Sequence, residues 1–184
     1  MNRSPPVIFT VGHSTRSFDD LVTILRAHGV ERLVDVRTIP RSRHNPQFNR
    51  DTLSKALHNR RLSYRHMKAL GGLRHARPDS INTGWRNASF RGFADYMQTP
   101  PFGAALEKLL RLAEQKPTAI MCAEAVPWRC HRSLIADALT ARGYEVQDIM
   151  SATSAKAHIL MPMARVHGRQ VTYPAEVERI GNKG

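Results

Sequence analysis

The sequence predicts an α/β fold: a single domain with a mainly parallel central sheet, helices on both faces in a Rossmann-like three-layer arrangement, and a C-terminal hairpin appendage. Short apolar runs alternate along the chain with amphipathic helical patterns, which favours a parallel sheet. The first 37 residues read strand, helix, strand, the unit that joins two parallel strands by a right-handed crossover. The length of 184 residues suits one domain and leaves little room for two.

The elements of the N-terminal half follow from apolar periodicity and from capping residues. An apolar run over residues 6–11 ends at Gly12, as expected of a buried strand. Ser17 is suited to cap a helix whose apolar positions recur at helical spacing until Gly29. The predicted strands are residues 6–11, 32–37 and 62–67, and the predicted helices are residues 17–29 and 49–59, the second with Asn49 as its cap.

The second half completes the core. Phe102, Leu106 and Leu109 fall on one side of a helix, which predicts an amphipathic helix packed on the sheet. The predicted helices are residues 90–97 and 102–114 and one that begins between 127 and 133 and ends near 143; the predicted strands are residues 118–123 and 144–150.

Two segments stand apart from these regular elements. Residues 71–89 form a long loop, and a loop of this length in a compact domain is usually functional or mobile. Residues 164–173 resemble a hairpin with glycine in its turn. We therefore assign residues 1–150 to the α/β core and residues 151–184 to a C-terminal extension that packs on the same domain.

Positive charge is concentrated in one third of the chain. The protein has 28 Lys and Arg residues against 15 Asp and Glu, a formal charge of +13. Residues 32–91 hold 14 of these cations, 3 of the acids and four aromatic residues. Cations bind phosphates and flat rings stack on unpaired bases, so the pattern favours nucleic acid or a nucleotide-like anion as the partner. A solvated basic surface is the alternative interpretation.

Other classes of protein are disfavoured by what the sequence lacks. No apolar run approaches the about 20 residues of a membrane helix, and the N-terminal apolar stretch is too short for a signal peptide. Two cysteines in 184 residues do not form a disulfide framework. We therefore expect a cytoplasmic protein with reduced thiols, no cofactor and no membrane partner; its oligomeric state stays open.

Polar side chains stand at the ends of four predicted strands. In open α/β sheets, ligands bind in the crevice beyond the carboxyl ends of the strands, so we expect a cleft at this edge. The side chains are His13 and Ser14 after the first strand, Asp35 and Arg37 on the second, Tyr64 and His66 on the third, and Cys122 and Glu124 on the fourth.

The first two strand ends each admit a functional and a structural interpretation. His13 is a candidate acid or base and Ser14 a candidate oxyanion ligand; the structural alternative is a turn in which His13 caps the next helix. Asp35 and Arg37 are two residues apart in a strand and face the same side. Either Arg37 binds a phosphate or the two side chains form a structural ion pair.

Residues 122–132 are the segment richest in chemically reactive side chains. They hold two thiols, a carboxylate, an imidazole and two guanidiniums between a strand and a helix. The first turn of that helix favours an anion, assisted by Arg129 or Arg132, and lowers the pKa of Cys130. Three chemistries compete here. The structural alternative is an inert, buried Cys122 and a paired Glu124.

A zinc site on Cys122, Cys130 and His131 is disfavoured, because the spacing is not that of a zinc motif and no C-x2-C pair occurs; we predict no metal. A cysteine nucleophile in a phosphate-binding loop fits the sequence poorly, because such a loop usually needs glycine and the loop after Cys122 contains none. The third chemistry makes Glu124 a general base or nucleophile with His13 or His131 as partner.

The candidate residues form two sets. The predicted catalytic residues are Glu124, His13, Cys122 and His131. The predicted substrate- and anion-binding residues are Ser14, Asp35, Arg37, Arg41, Arg43, Tyr64, His66, Arg91, Cys130 and Arg132.

Several motifs, in order along the chain, carry a family resemblance. They are Thr10-Val-Gly-His-Ser14, Val34-Asp-Val-Arg37, Pro46-Gln-Phe-Asn49, Leu70-Gly-Gly72, Phe90-Arg-Gly-Phe-Ala-Asp-Tyr96, and Cys122-Ala-Glu124 followed by Cys130-His-Arg132. Over residues 7–173 the chain resembles the bacterial family called domain of unknown function 488. The resemblance implies a compact α/β domain of bacterial origin and motif residues at the same strand ends. It implies no activity, because the family is uncharacterised.

Three functions are consistent with the sequence. The leading hypothesis is an enzyme that acts on nucleic acid or a nucleotide-like anion in the cleft, by hydrolase or glycosidase-type chemistry at a base or sugar. The first alternative is a nucleic-acid-binding module without catalysis. The second is a cysteine-dependent enzyme for a small anionic substrate.

Overall fold

The computed structural model describes residues 4–176 and contains a six-stranded sheet, five α-helices and a separate two-stranded hairpin. The strands are β1 (Ile8–Gly12), β2 (Arg32–Asp35), β3 (Ser63–His66), β4 (Thr118–Cys122), β5 (Val146–Ser151), β6 (Ser154–Ala157), β7 (Arg165–His167) and β8 (Gln170–Thr172). The helices are α1 (Phe18–Ala27), α2 (Arg50–Asn59), α3 (Ala88–Met97), α4 (Pro100–Gln115) and α5 (Arg132–Ala141). Among residues 4–176, no helix has the length and apolarity needed to cross a membrane.

The sheet has the strand order β3-β2-β4-β1-β5-β6 and is parallel except for the β5–β6 pair. Side chains alternate between its faces: Ile120 and Cys122 of β4 pack into one apolar cluster, and Ala119 and Met121 into another. Helices α3, α4 and α5 cover the first cluster, and α1 and α2 cover the second. The predicted α/β architecture with helices on both faces is confirmed.

Two predicted caps behave differently. The Ser17 side chain accepts a hydrogen bond from the Asp20 backbone N–H at 3.0 Å, as its position before α1 predicts. Asn49 also stands at the N-cap of α2, but its side chain makes no capping bond. Its Oδ1 atom instead accepts from the Ser42 N–H at 2.7 Å and so holds the loop after β2 against the start of the helix.

The topology opens a crevice at one edge of the sheet. Strand β4 lies between β1 and β2. The helices that follow β1 and β2 pack on one face of the sheet, whereas α5, which follows β4, packs on the other. Chain connections therefore leave β4 and its neighbours in opposite directions, and the space between their carboxyl ends stays open to a ligand.

The C-terminal extension adds a strand that the sequence pattern does not show. Strand β6 pairs antiparallel with β5, so the sheet continues past residue 150. The predicted hairpin is present as β7 and β8. Val171 and Tyr173 at its end are buried in the cluster that α3 and α5 cover, so this segment closes one side of the core.

A buried polar network fixes the extension to the core. His158 lies between two carboxylates, with Nε2 2.7 Å from Asp137 Oδ1 and Nδ1 2.9 Å from Asp148 Oδ2. The Tyr173 hydroxyl donates to the other oxygen of Asp137 at 2.7 Å. With both ring nitrogens facing carboxylates, the imidazole is held as a cation.

This network predicts a pH-dependent contribution to stability. Burial lowers the pKa of His158, but hydrogen bonds to Asp137 and Asp148, with their charges, raise it more, to about 9. A raised pKa stabilises the fold fully below pH 6.5, and the contribution is lost as the pH rises through 9. We expect His158→Gln to cost about 2–3 kcal/mol at pH 6, and this difference from wild type to shrink toward pH 9.5.

Urea unfolding of wild type and His158→Gln at several pH values measures this effect. The exposed His44 serves as the matched control, and His44→Gln is expected to change the free energy of unfolding by less than about 0.5 kcal/mol at every pH. A difference between wild type and His158→Gln that stays constant with pH would contradict a charged imidazole in the network.

Candidate functional site

An open cleft of about 780 Å³ lies at the carboxyl ends of β1, β2 and β4, where the sequence analysis places the site. Eight of the predicted site residues line it: His13, Ser14, Arg37, Arg41, Cys122, Glu124, Cys130 and His131. Six others do not: Asp35, Arg43, Tyr64, His66, Arg91 and Arg132.

The backbone of the cleft floor depends on a close approach between two loops. The N–H groups of His13 and Ser14 donate to the carbonyl oxygens of Cys122 and Ala123 at 3.0 and 2.9 Å, which extends the β1–β4 ladder beyond the strands. A Cβ atom at Gly12 would overlap the Glu124 carbonyl, so only glycine fits there. Ser14 follows with φ of 49°, in the left-handed region that non-glycine residues rarely adopt.

Arg37, in the wall of the cleft, forms a buried ion pair with Asp35 behind it. The guanidinium donates to Asp35 through Nε at 2.9 Å and Nη2 at 2.6 Å. Nη2 also donates to the Phe48 carbonyl at 2.7 Å, and Nη1 lies 3.3 Å from His13 Nε2. The structural interpretation of this pair therefore matches the geometry, and the pair holds the loop after β2.

His13 is held as a neutral ring. Its Nδ1 atom lies 2.8 Å from the Ser14 carbonyl, which only accepts, so Nδ1 carries the hydrogen. Nε2 is then left to accept from Arg37. Burial lowers the pKa of His13, and the ring stacks on Phe48 with 4.3 Å between centroids. These contacts give His13 the geometry of a side chain that positions Arg37.

The remaining predicted residues away from the cleft make supporting contacts. The Tyr64 hydroxyl donates to Asp35 Oδ2 at 2.6 Å, and burial followed by the nearby Asp35 charge raises the pKa of Tyr64. His66 Nε2 donates to the Arg37 carbonyl at 2.7 Å. The Arg91 guanidinium donates to the Trp85 carbonyl at 2.7 and 3.0 Å, and Arg43 is exposed on the loop after β2.

His131 presents one free nitrogen toward the cysteines. Its Nε2 atom donates to the carbonyl oxygens of Val36 and Leu70 at 2.9 and 3.0 Å. Nδ1 therefore has no hydrogen in the neutral ring and lies 3.6 Å from Cys130 Sγ. Burial lowers the pKa of His131 to about 4, so the ring is neutral near pH 7. A Cβ at Gly72 would lie 2.6 Å from this Nδ1, so glycine gives the ring its space.

Arg132 is a fully buried cation behind the floor of the cleft. Its Nη1 donates to Cys122 Sγ at 2.7 Å and also to the Glu124 carbonyl, and Nη2 donates to the Ala125 carbonyl at 3.1 Å. Burial lowers the pKa of Arg132 to about 10. These bonds fold the loop after β4 around the guanidinium, and they direct Arg132 away from a ligand in the cleft.

The two cysteines differ from the expectation of separate reduced thiols. The sulfur atoms of Cys122 and Cys130 are in contact as a disulfide pair, with 7.3 Å between their Cα atoms. The contact arises because the loop after β4 turns back on itself before α5, so residues eight apart in sequence meet. Both sulfurs are buried but line the cleft.

The rim of the cleft carries charges of both signs. Glu124, Arg41 and Arg129 are exposed there, and among residues 4–176 none of the three forms an ion pair. Apolar side chains also reach the rim, namely Ile39, Leu73 and Phe90. Further residues line the cleft without a residue-type signal for a role there, and their place in loops after strand ends is what points to them: Ile39, Leu73, Thr38, Ser42 and Asn45.

Within residues 4–176, no group of three or more His, Cys, Asp or Glu side chains is arranged to hold a metal ion. The polar groups of the cleft are guanidiniums, imidazoles, hydroxyls, one amide, one carboxylate and two sulfurs. Such a set binds anions and supports acid–base or thiol chemistry.

Comparison with known proteins identifies a family for the chain. Residues 17–139 match the family described as Domain of unknown function DUF488, and this range includes β2, β3, β4 and the loop between the two cysteines. No curated protein and no solved structure matches the chain. Because the match spans well over half of the sequence, with the carboxyl ends of β2 and β4 inside it, the chain belongs to the DUF488 family.

Proposed function

We propose that this protein is an enzyme that acts on a nucleic acid or a nucleotide-like anion bound in the cleft. The proposal is supported by the charged side chains at the rim, where the Glu124 carboxylate shares one open cleft with the guanidiniums of Arg41 and Arg129. None of the three is paired with another side chain in the described residues. Unpaired guanidiniums are suited to bind phosphate oxygens.

The apolar part of the rim supports a ligand with a flat group. Phe90 lines the cleft and stacks on Trp85 with 4.9 Å between centroids, which fixes its ring. Ile39 and Leu73 are exposed to the same space. A base or similar ring resting on these side chains would bury apolar surface while its phosphate meets Arg41 or Arg129.

Glu124 is the group best placed for catalysis on such a ligand. It follows β4 at the centre of the sheet edge, and its carboxylate is exposed to the cleft. A carboxylate in this position can activate water or attack a sugar carbon, which are hydrolase and glycosidase-type reactions. The two arginines would hold the anion and orient it toward the carboxylate.

The first test is binding of short single-stranded and duplex oligonucleotides at two salt concentrations. We expect Arg41→Gln and Arg129→Gln each to weaken binding about tenfold at low salt and to reduce the salt slope by about 1. Arg111→Gln, on the exposed side of α4 outside the cleft, removes the same charge and is the matched control. Equal losses in all three variants would indicate a diffuse charge effect and contradict an anion site in the cleft.

Catalysis is tested on the same ligands. Incubation of the wild-type protein with oligonucleotides, followed by mass spectrometry, is expected to show a released base or a cleaved strand. Salt-dependent binding without any product would favour the non-catalytic binding module. Neither binding nor product would remove both nucleic-acid functions.

A further inference from the structure

Among residues 4–176, no carboxylate is in direct contact with the buried guanidinium of Arg132. Its partners are Cys122 Sγ, two backbone carbonyls and the Thr10 hydroxyl, which lies 3.4 Å from Nε. Asp148 is linked to Arg132 through Thr10 and is shared with His158, and Glu124 contacts the guanidinium through its backbone carbonyl. A buried cation needs an anion beside it, and within residues 4–176 the side-chain atom at 2.7 Å that can become one is the sulfur of Cys122.

We infer that Cys122 and Cys130 form a dithiol in the floor of the cleft that reacts with hydroperoxides, with Cys122 as the attacking thiolate and Cys130 as the resolving thiol. A neutral thiol or disulfide sulfur accepts hydrogen bonds weakly and does not offset a buried positive charge. A thiolate accepts hydrogen bonds strongly and offsets that charge. The contact with Arg132 therefore favours the reduced, anionic form of Cys122.

Cys130 has the surroundings of a thiol that must lose a proton. His131 Nδ1, which has no hydrogen, lies 3.6 Å from its sulfur and is placed to accept a hydrogen bond from the S–H group and so to orient it. The backbone N–H of Arg132, in the first turn of α5, donates to the same sulfur at 3.5 Å. The two cysteines stand at the two ends of the loop between β4 and α5, eight residues apart in sequence.

The reaction balances with a hydroperoxide as the only oxidant. The Cys122 thiolate attacks one oxygen of hydrogen peroxide, the O–O bond breaks, and hydroxide leaves as Cys122 becomes a sulfenic acid. The Cys130 thiol then attacks the Cys122 sulfur. The S–O bond breaks as the S–S bond forms, and the departing oxygen takes the Cys130 proton to leave as water. An external thiol reduces the disulfide and restores both cysteines.

The cleft admits a small oxidant to the cysteines, since both line it although little of either is exposed. The charged and titratable groups around the two sulfurs are His13, Arg16, Glu124, Arg129, His131, Arg132 and Asp148. Of the contacts that the described residues make with the Cys122 sulfur, the charged one is Arg132.

The first experiment follows oxidation by mass spectrometry. Protein reduced with dithiothreitol and freed of it is exposed to hydrogen peroxide at pH 7. Wild type is expected to form an intramolecular Cys122–Cys130 disulfide that dithiothreitol reverses. Cys130→Ser is expected to stop at a sulfenic acid on Cys122 that dimedone traps, and Cys122→Ser to react at least about tenfold more slowly. Equal rates at the two cysteines, or disulfides only between molecules, would overturn the assignment.

The second experiment needs no variant. The rate of iodoacetamide alkylation at each cysteine of the reduced wild type is measured from pH 6 to 8, with the protein unfolded in guanidinium chloride as the control. An ordinary thiol gains about tenfold in rate per pH unit below its pKa of about 8.5, whereas a thiolate held by Arg132 changes by less than about twofold. A Cys122 profile that parallels the unfolded chain would disprove the thiolate. Neither experiment involves a nucleic-acid ligand, so each stands or falls apart from the proposed function.

Discussion

Asp137→Ala is expected to lower the free energy of unfolding by about 3–5 kcal/mol, a large part of the stability of a domain of this size. Asp137 is fully buried in α5 and accepts hydrogen bonds from His158, the Tyr173 hydroxyl and, at 3.3 Å, the Met161 N–H. Alanine leaves the Tyr173 hydroxyl without a partner and the charged imidazole with one carboxylate instead of two.

Urea unfolding with tryptophan fluorescence measures this loss, and hydrogen exchange shows where it acts. We expect faster exchange in β7 and β8, because their attachment to α5 runs through Tyr173. Asp51→Ala is the matched control, since the Asp51 side chain is 99% exposed and its ion pair with Arg50 is 3.7 Å long; its effect should stay below about 0.5 kcal/mol. A loss below about 1 kcal/mol for Asp137→Ala would mean that the network contributes little to holding the extension.

Glu124→Gln is expected to leave oligonucleotide binding intact, or to tighten it slightly, and to lower turnover by about 10²–10⁴-fold. Glutamine keeps the shape of the side chain but can neither take up a proton at neutral pH nor act as a nucleophile. The side chain is exposed at the rim and forms no ion pair in the described residues, so the fold should not depend on it. The variant removes the repulsion between the Glu124 carboxylate and a bound anion and removes no attractive contact, so binding should not weaken.

The measurement is product formation against ligand binding in the same preparations. Glu114→Gln, on the exposed face of α4, makes the same chemical change outside the cleft and should behave as wild type. Unchanged turnover in Glu124→Gln would exclude Glu124 as base or nucleophile and would direct attention to Cys122 as the reacting group.

The elements that the sequence predicts well are those whose signal is local. Strands β1 and β4 are apolar runs of five residues, and α1 and α4 carry a cap or a clear apolar face, so their bounds agree with the structure within a few residues. Strand β6 has the sequence Ser-Ala-Lys-Ala, which contains no β-branched or aromatic residue and so carries no strand signal. It is a strand because β5 offers it a hydrogen-bonding edge, and that is a tertiary effect.

The site shows the same division between local and long-range signals. The topological rule for strand ends places His13, Cys122 and Glu124 in one cleft without knowledge of any contact. The rule does not reveal which charged side chains already have partners within the protein. Arg37 is paired with Asp35 and Arg132 lies behind the loop after β4, whereas Arg41 and Arg129 remain open. Residue type alone does not separate these arginines, because the difference lies in the partners that the fold brings to them.

The two outer strands of the sheet bear on how the protein behaves at high concentration. An exposed strand edge is a template on which a second chain can add a strand, and long, flat, apolar edges are the usual start of aggregation. Strands β3 and β6, which form the two edges, are four residues each, and each carries an exposed cation, Arg65 or Lys156. A neighbouring molecule that tried to extend the sheet would gain few hydrogen bonds and would bring like charges together. The same short edges that end the sheet at six strands thus protect it from growing into its neighbours.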